Sequence, residues 1–146
     1  MKAISLWQPW ATLWLLTNPD EKVFETRPWF ASYRGPLLVH AAKKRDGDVR
    51  EYLECIYFRD RLAAHGLTTD MLAFGAIIGR VDLIDCYRMG NSGAPNDRED
   101  KAGNWEPGRY AWKRGPNPIL FNKPIPYRGS QGFFEVPDQD VDGGCY

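Results

Sequence analysis

The run "GAIIGRVDLIDCY", residues 75–87, constrains this chain more than any other stretch. It has no Pro, it is rich in Ile and Val, and from Gly79 to Leu83 it alternates apolar with polar. That pattern fits a pleated, half-buried strand and does not fit a helix. Val81, Leu83 and Asp85 fall on one face, with Arg80, Asp82 and Ile84 on the other. The chain is therefore committed to a sheet.

Shorter strand signals surround it. Met1–Leu6 alternates weakly. Val23–Arg27 reads as a strand with Val23, Glu25 and Arg27 on one face and Lys22, Phe24 and Thr26 on the other. Tyr33–Pro36 is a turn, and Leu37–Ala42 is a buried strand carrying His40. "RYAWK", residues 109–113, is a short aromatic strand. "GPNPILFNKPIPYRG", residues 115–129, is restricted to an edge strand or turn because each Pro lacks a ladder donor. Phe133–Val136 is a last short strand.

Helical signals come early. Pro9 suits a first helical turn, and Trp10, Leu13, Trp14 and Thr17 follow at helical spacing until Asn18-Pro19-Asp20 stops them. Asp46-Gly47-Asp48 caps a second helix with a stripe of Val49, Tyr52, Leu53 and Ile56, closed by Gly66. Thr68–Leu72 gives one further turn. Residues 89–108 are polar and rich in Gly, Asn and Asp, and are expected to be the most mobile internal segment.

No βαβ rhythm and no repeat is visible. The reading is α+β, one domain, with the sheet closed into a barrel and helices packed outside it or across one end. Trp10 and Trp14 are expected to be largely buried at that end. The tail from Asp138 is acidic and expected to fray.

A formal net charge of zero gives no long-range basic field for duplex nucleic acid. The local run Lys43-Lys44-Arg45 reads either as a phosphate-facing patch or as a solvated loop. Cys55, Cys86 and Cys145 form no C-x-x-C pair, and His40 and His65 are far apart, so no metal site and no cofactor is expected. Free Cys without a secretory leader point to a reducing, cytoplasmic setting. The longest apolar run is far short of a membrane span.

Chemistry concentrates in "LWQPWATLWLLTNPDEKVFETRPW", residues 6–29, which holds Trp7, Trp10, Trp14 and Trp29 beside Lys22, Glu25 and Arg27. Glu25 and Arg27 either pair with each other or line a site. A Lys among indoles and near Arg27 has its charged form disfavoured and suits a nucleophile or base. Glu25 suits a general base that activates water. Gln8 either caps the helix or faces a ligand. Trp10 and Trp14, one turn apart, read as core or as a stacking surface. His40 reads as a core histidine or a ligand contact, and Tyr110 with Trp112 as core or binding face. No Ser-His-Asp order, P-loop or dinucleotide fingerprint is present.

At these residues the chain resembles the ASCH domain family (activating signal cointegrator homology). The matching pieces are "SLWQPWATL", "KVFETRPW", "YRGPLLVHAAKK", "GAIIGRVDLIDC", "GRYAW" and "PIPYRGSQGFFEVP". The family's G-x-K-x-x-E-x-R pattern is similar to Lys22, Glu25 and Arg27 here, with Asp20 where the pattern has Gly. The resemblance covers residues 1–137, leaving 138–146 as a flexible tail. It implies a PUA-like β-barrel with a cleft near the Lys-x-x-Glu-x-Arg strand and the Gln-Pro-Trp helix start.

It also implies RNA or nucleotide binding. Gln8, Trp10, Arg27, Trp29, Arg34, His40, Lys43 and Tyr110 are then candidate contacts, with Lys22 and Glu25 at the centre. Some relatives look like ribonucleases, and small ones resemble amidohydrolases on N4-acetylcytidine-like nucleosides, with Thr at the Glu25 position. Three readings stay open: binding of RNA, single-stranded nucleic acid or a nucleoside; metal-independent hydrolysis by Lys22 and Glu25; and a protein-interaction module.

Overall fold

The computed structural model describes residues 1–141. Cys145 and the end of the tail lie outside the described residues. The fold is α+β, built on one mixed sheet of seven strands. The strands are β1 (Lys2–Leu6), β2 (Phe24–Arg27), β3 (Gly35–Ala41), β4 (Ala76–Arg88), β5 (Tyr110–Arg114), β6 (Ile119–Pro126) and β7 (Phe134–Glu135). The helices are α1 (Trp10–Leu13), α2 (Asp48–Glu54), α3 (Ile56–Ala63), α4 (Asp97–Ala102) and α5 (Asp138–Val141), with a 3₁₀ turn at Thr69–Met71.

The strand order is β2-β5-β4-β3-β1-β7, and β6 pairs with β4. β1 and β3 run parallel; every other pair is antiparallel. β4 is the spine. On one side it meets β3 along most of its length. On the other, its first half meets β6 and its second half meets β5. A bulge between Leu83 and Asp85 marks that exchange. The bulge re-phases the strand: Val81 and Leu83 are buried as the alternation predicts, but Cys86 turns inward next and Asp85 is exposed.

β3 is buried on both faces, which its unbroken "LLVHA" run anticipates. Leu37, Val39 and Ala41 join Ile4, Leu6, Trp14, Val81 and Trp112 in the main core. Leu38 joins Ala3, Ile77, Phe121 and Val136 on the opposite face. A third cluster packs Leu13 and Leu16 against Phe58 and Leu62 of α3. Each such side chain contributes about 1.5–3 kcal/mol by leaving water.

The expected barrel closure does not occur. The pairing path is open, with β2 and β7 at its ends. The strands there are four and two residues long. A side chain finishes the β2 edge instead: Glu99 of α4 accepts the N–H groups of Val23 (2.7 Å) and Phe24 (3.2 Å).

The helices also differ from the sequence reading. α1 is a single turn; Trp14, just past it, is fully buried, whereas Trp10 is half-buried. The second helix breaks at Cys55, which is extended (φ −68°, ψ 126°). The break shifts the helical phase, so Ile56 is 75% exposed instead of extending the stripe. Residues 89–108 hold α4 and bury Met89, Glu99, Ala102 and Trp105, so this segment is not a solvated loop throughout. The tail begins with α5, whose Val141 is buried against the second core face.

Arg114, one residue past the expected strand, ties the layers together. It is 2% exposed. Its guanidinium donates to the carbonyls of Trp14 (2.6 Å), Leu16 (3.2 Å) and Gly115 (2.9 Å) and to Asp20 (3.0 Å). The bonds to Trp14 and Leu16 satisfy carbonyls left over just past the end of α1. Arg114→Met leaves them unpaired and is expected to cost about 3 kcal/mol. In a chain of this size that lowers the thermal midpoint by roughly 6–12 °C in a near-UV circular dichroism melt. An unchanged midpoint would contradict the tying role.

Candidate functional site

β2 enters the sheet against β5, with Glu25 opposite Trp112 and Arg27 opposite Tyr110. Lys22 precedes the strand. Strict alternation puts it on the face away from Glu25, but the loop from Asn18 turns its side chain back. Lys22 is fully buried, its Nζ donates to Glu25 Oε1, and it lies 5.6 Å from the centre of the Trp14 ring. The neighbouring Glu21 turns the other way, toward Arg61 (3.4 Å) and His65 (3.8 Å).

Arg27 completes a chain of charge. Its Nε lies 3.1 Å from Glu25 Oε2, and its terminal nitrogen donates to the Ser5 carbonyl at 2.8 Å. The guanidinium sits 5.9 Å from the Trp112 ring centre. The Nε–H is not aimed at the carboxylate and makes no hydrogen bond. Burial pushes the Glu25 carboxyl up; Lys22 and Arg27 beside it, with the Lys22 and Thr26 hydrogen bonds, more than offset that and hold it below 4.5.

Glu25 and Arg27 form the floor of a cleft of about 480 Å³. Trp7, Trp10 and Tyr52 of α2 make one wall, with Trp10 edge-on to Tyr52 at 4.6 Å. Lys101, Gly103, Asn104 and Arg109 make the other. That second wall is docked on β2: Asn104 N–H donates to Thr26 Oγ1 (3.0 Å), and Arg109 donates to the Thr26 carbonyl (3.2 Å).

The anchor of that wall is Glu99. Asn96 caps α4 by accepting the Glu99 N–H (2.9 Å), while the Glu99 carboxylate holds the β2 edge. Burial pushes this carboxyl up, and its contacts with Val23, Phe24, Lys22 and Arg114 offset only part of the rise. Trp105 donates its indole N–H to the Glu99 carbonyl at 2.9 Å.

The structure brings Glu25, Arg27 and Trp10 together in the cleft, with Lys22 directly behind them. Other expected contacts lie elsewhere. Gln8 is fully buried: it donates to the Ala73 carbonyl (3.0 Å) and accepts from Thr12 N–H (3.1 Å), the capping alternative. Trp29 packs on Trp112 and Phe133. Tyr110 packs against the core and Phe30. Arg34 donates to the Ala31 and Tyr33 carbonyls. His40 and Lys43 line a second groove, described below.

Sequence reasoning missed Trp7, Tyr52, Lys101, Asn104, Arg109 and the anchor Glu99 as site residues. One signal was present: "NDRE", residues 96–99, carries the Asn-x-x-Glu spacing of a helix start. The described residues contain no cluster of His, Cys, Asp and Glu able to hold a metal, and no helix long and apolar enough to cross a membrane. The chain matches no protein-family model and no curated protein.

The charge chain has a measurable signature. Glu25→Gln strands the buried Lys22 ammonium and is expected to cost about 3 kcal/mol, whereas Lys22→Met leaves Glu25 its Arg27 and costs about 1 kcal/mol. The double variant should cost clearly less than the sum of the two in urea unfolding. Additive costs would remove the coupling.

Acid should expose the same group. Its folded value lies below the ordinary one, so ionised Glu25 stabilises the folded state above pH 4.5, and that contribution is lost as pH falls through the folded value. Stability of the native chain should therefore drop more steeply below pH 4.5 than that of Glu25→Gln. Parallel curves would refute the assignment.

Proposed function

We propose that this chain is an ASCH-type domain of PUA-like ancestry that binds a base of single-stranded RNA, or a nucleoside, in the Glu25–Arg27 cleft. One observation carries the reading: a carboxylate and a guanidinium sit side by side on the floor beneath an aromatic wall. Indole and phenol faces offer stacking to any base, at about 1–3 kcal/mol per base. Glu25 accepts from an exocyclic amine, as acidic side chains do with cytosine. Both its oxygens keep free lone pairs beside Lys22 and Arg27. Arg27 supplies a terminal guanidinium donor for the neighbouring acceptor on the same base edge.

In this reading Lys22 is a positioning residue. It keeps Glu25 ionised and therefore a pure acceptor. Hydrolysis by Lys22 would require a substrate atom to reach Nζ, which is buried behind Glu25 and against Trp14. Lys101 and Arg109 at the rim suit the sugar–phosphate side of a nucleotide.

Titration of indole fluorescence with nucleosides and short single-stranded RNA tests the proposal. Trp10→Ala and Arg27→Met should each weaken binding about tenfold or more, with cytosine-bearing ligands preferred. Lys22→Met should weaken it without abolishing it. Binding unaffected by Trp10→Ala and Arg27→Met would overturn the site. Products from labelled RNA or acylated cytidine, lost in Lys22→Arg, would replace binding with the hydrolase reading.

A further inference from the structure

Ser5 borders two depressions. Its carbonyl accepts Arg27 in the cleft already described, and its hydroxyl donates to His40 Nδ1 (2.8 Å) in a second groove. That groove has a volume of about 880 Å³ and is lined by His40, Lys43, Gly75, Tyr127, Arg128, Gly129 and their neighbours. Among the described residues no carboxylate lines it. Lys43 and Arg128 are exposed and have no ion-pair partner among the described residues. In a chain of zero net charge, two unpaired cations facing one groove without an acid are a local anion field.

The groove is built, not merely lined. The Tyr127 carbonyl can only accept, so His40 Nε2 donates to it (2.7 Å) and Nδ1 accepts the Ser5 hydroxyl. Burial favours this neutral imidazole by pushing it below 6.5. His40 thereby pins the segment that carries Arg128. On the same segment a Cβ at Gly129 would come within 2.7 Å of His40 Cε1. Opposite, the Lys43 stem lies across Gly75 so closely that a Cβ there would be 2.9 Å from Lys43 Cγ. Both cations therefore rise from fixed points.

We infer that this groove is a phosphate subsite: it takes a phosphodiester flanking the base held in the Glu25–Arg27 cleft, so that a single strand crosses the molecule at Ser5. The two depressions meet at the carboxyl ends of β1 and β3, the one parallel pair among the described strands. This inference rests on the base-binding reading and adds a ligand class: a strand of at least two nucleotides is preferred over a free nucleoside. Lys43 and Arg128 supply charge, not base recognition.

The test compares a nucleoside, its monophosphates, a dinucleoside monophosphate and inorganic phosphate, on the native chain and on Lys43→Ala/Arg128→Ala. The dinucleotide is expected to bind about tenfold tighter than the nucleoside. The double variant should lose that gain, keep nucleoside affinity, and show a salt slope for the dinucleotide lower by about 0.7, the value for one single-strand phosphate contact. Retained nucleoside affinity also certifies that the variant folds. Inorganic phosphate should compete with the dinucleotide and not with the nucleoside. A nucleoside that binds with no dinucleotide gain, or a gain that survives the double variant, overturns the groove and leaves the cleft. If neither ligand binds, the cleft reading fails and the subsite with it.

Discussion

A lysine ammonium with no access to water is the constraint around which this molecule is arranged. Lys22 is fully buried, and a charge in that position must be neutralised within the protein. Glu25 does this, and Arg27 balances Glu25 from the far side, so three consecutive charges lie along one line from core to cleft. The indoles of Trp14 and Trp112 lie near the two cations and exclude solvent from them. Trp14 also donates to the Val23 carbonyl (3.0 Å), which fixes the backbone next to Lys22. The many Trp near this motif are thus divided between insulating charge and lining the cleft.

The same constraint explains why a short strand at a sheet edge can carry a site. β2 has four residues and pairs on one side only, with β5. Its geometry is held from the other side by Glu99, Asn104 and Arg109. A segment distant in sequence therefore both completes the sheet edge and builds one wall of the cleft. At the opposite end of the line Arg114 holds the end of α1 and Asp20, the residues from which the Lys22 loop departs. The cleft is a product of these long-range bonds more than of β2 itself.

The sequence was legible where periodicity and burial coincide. The β4 run, the unbroken apolar β3 and the Pro-restricted β6 appear where alternation and proline chemistry put them. The Lys22, Glu25, Arg27 spacing pointed to a charge cluster, and the three do meet, with Glu25 and Arg27 lining a cleft. It was less legible wherever one residue changed the phase. A bulge at Leu83–Asp85 exchanged Asp85 for Cys86 in the core, and an extended Cys55 cut one expected helix into two. Residues 89–108 looked solvated because polar side chains that pair in the interior are indistinguishable in sequence from those that face water. Glu99 is the clearest instance.

Sequence alone determined that this chain makes a sheet-based α+β fold and that Lys22, Glu25 and Arg27 lie close together along it, because strand alternation and local charge spacing are properties of neighbours. Tertiary structure decided which members of that set line the cleft. It sealed Lys22, left Glu25 and Arg27 on the cleft floor, sent Trp29, Tyr110 and Gln8 into packing, and brought Tyr52 and Arg109 to the cleft. It also left the sheet open where a closed barrel was expected, with a carboxylate finishing the edge. The physical reason is the same in each case: burial, hydrogen-bond satisfaction and charge neutralisation are settled between residues far apart in sequence, a hundred positions for Arg114 and Trp14, and no local pattern encodes them.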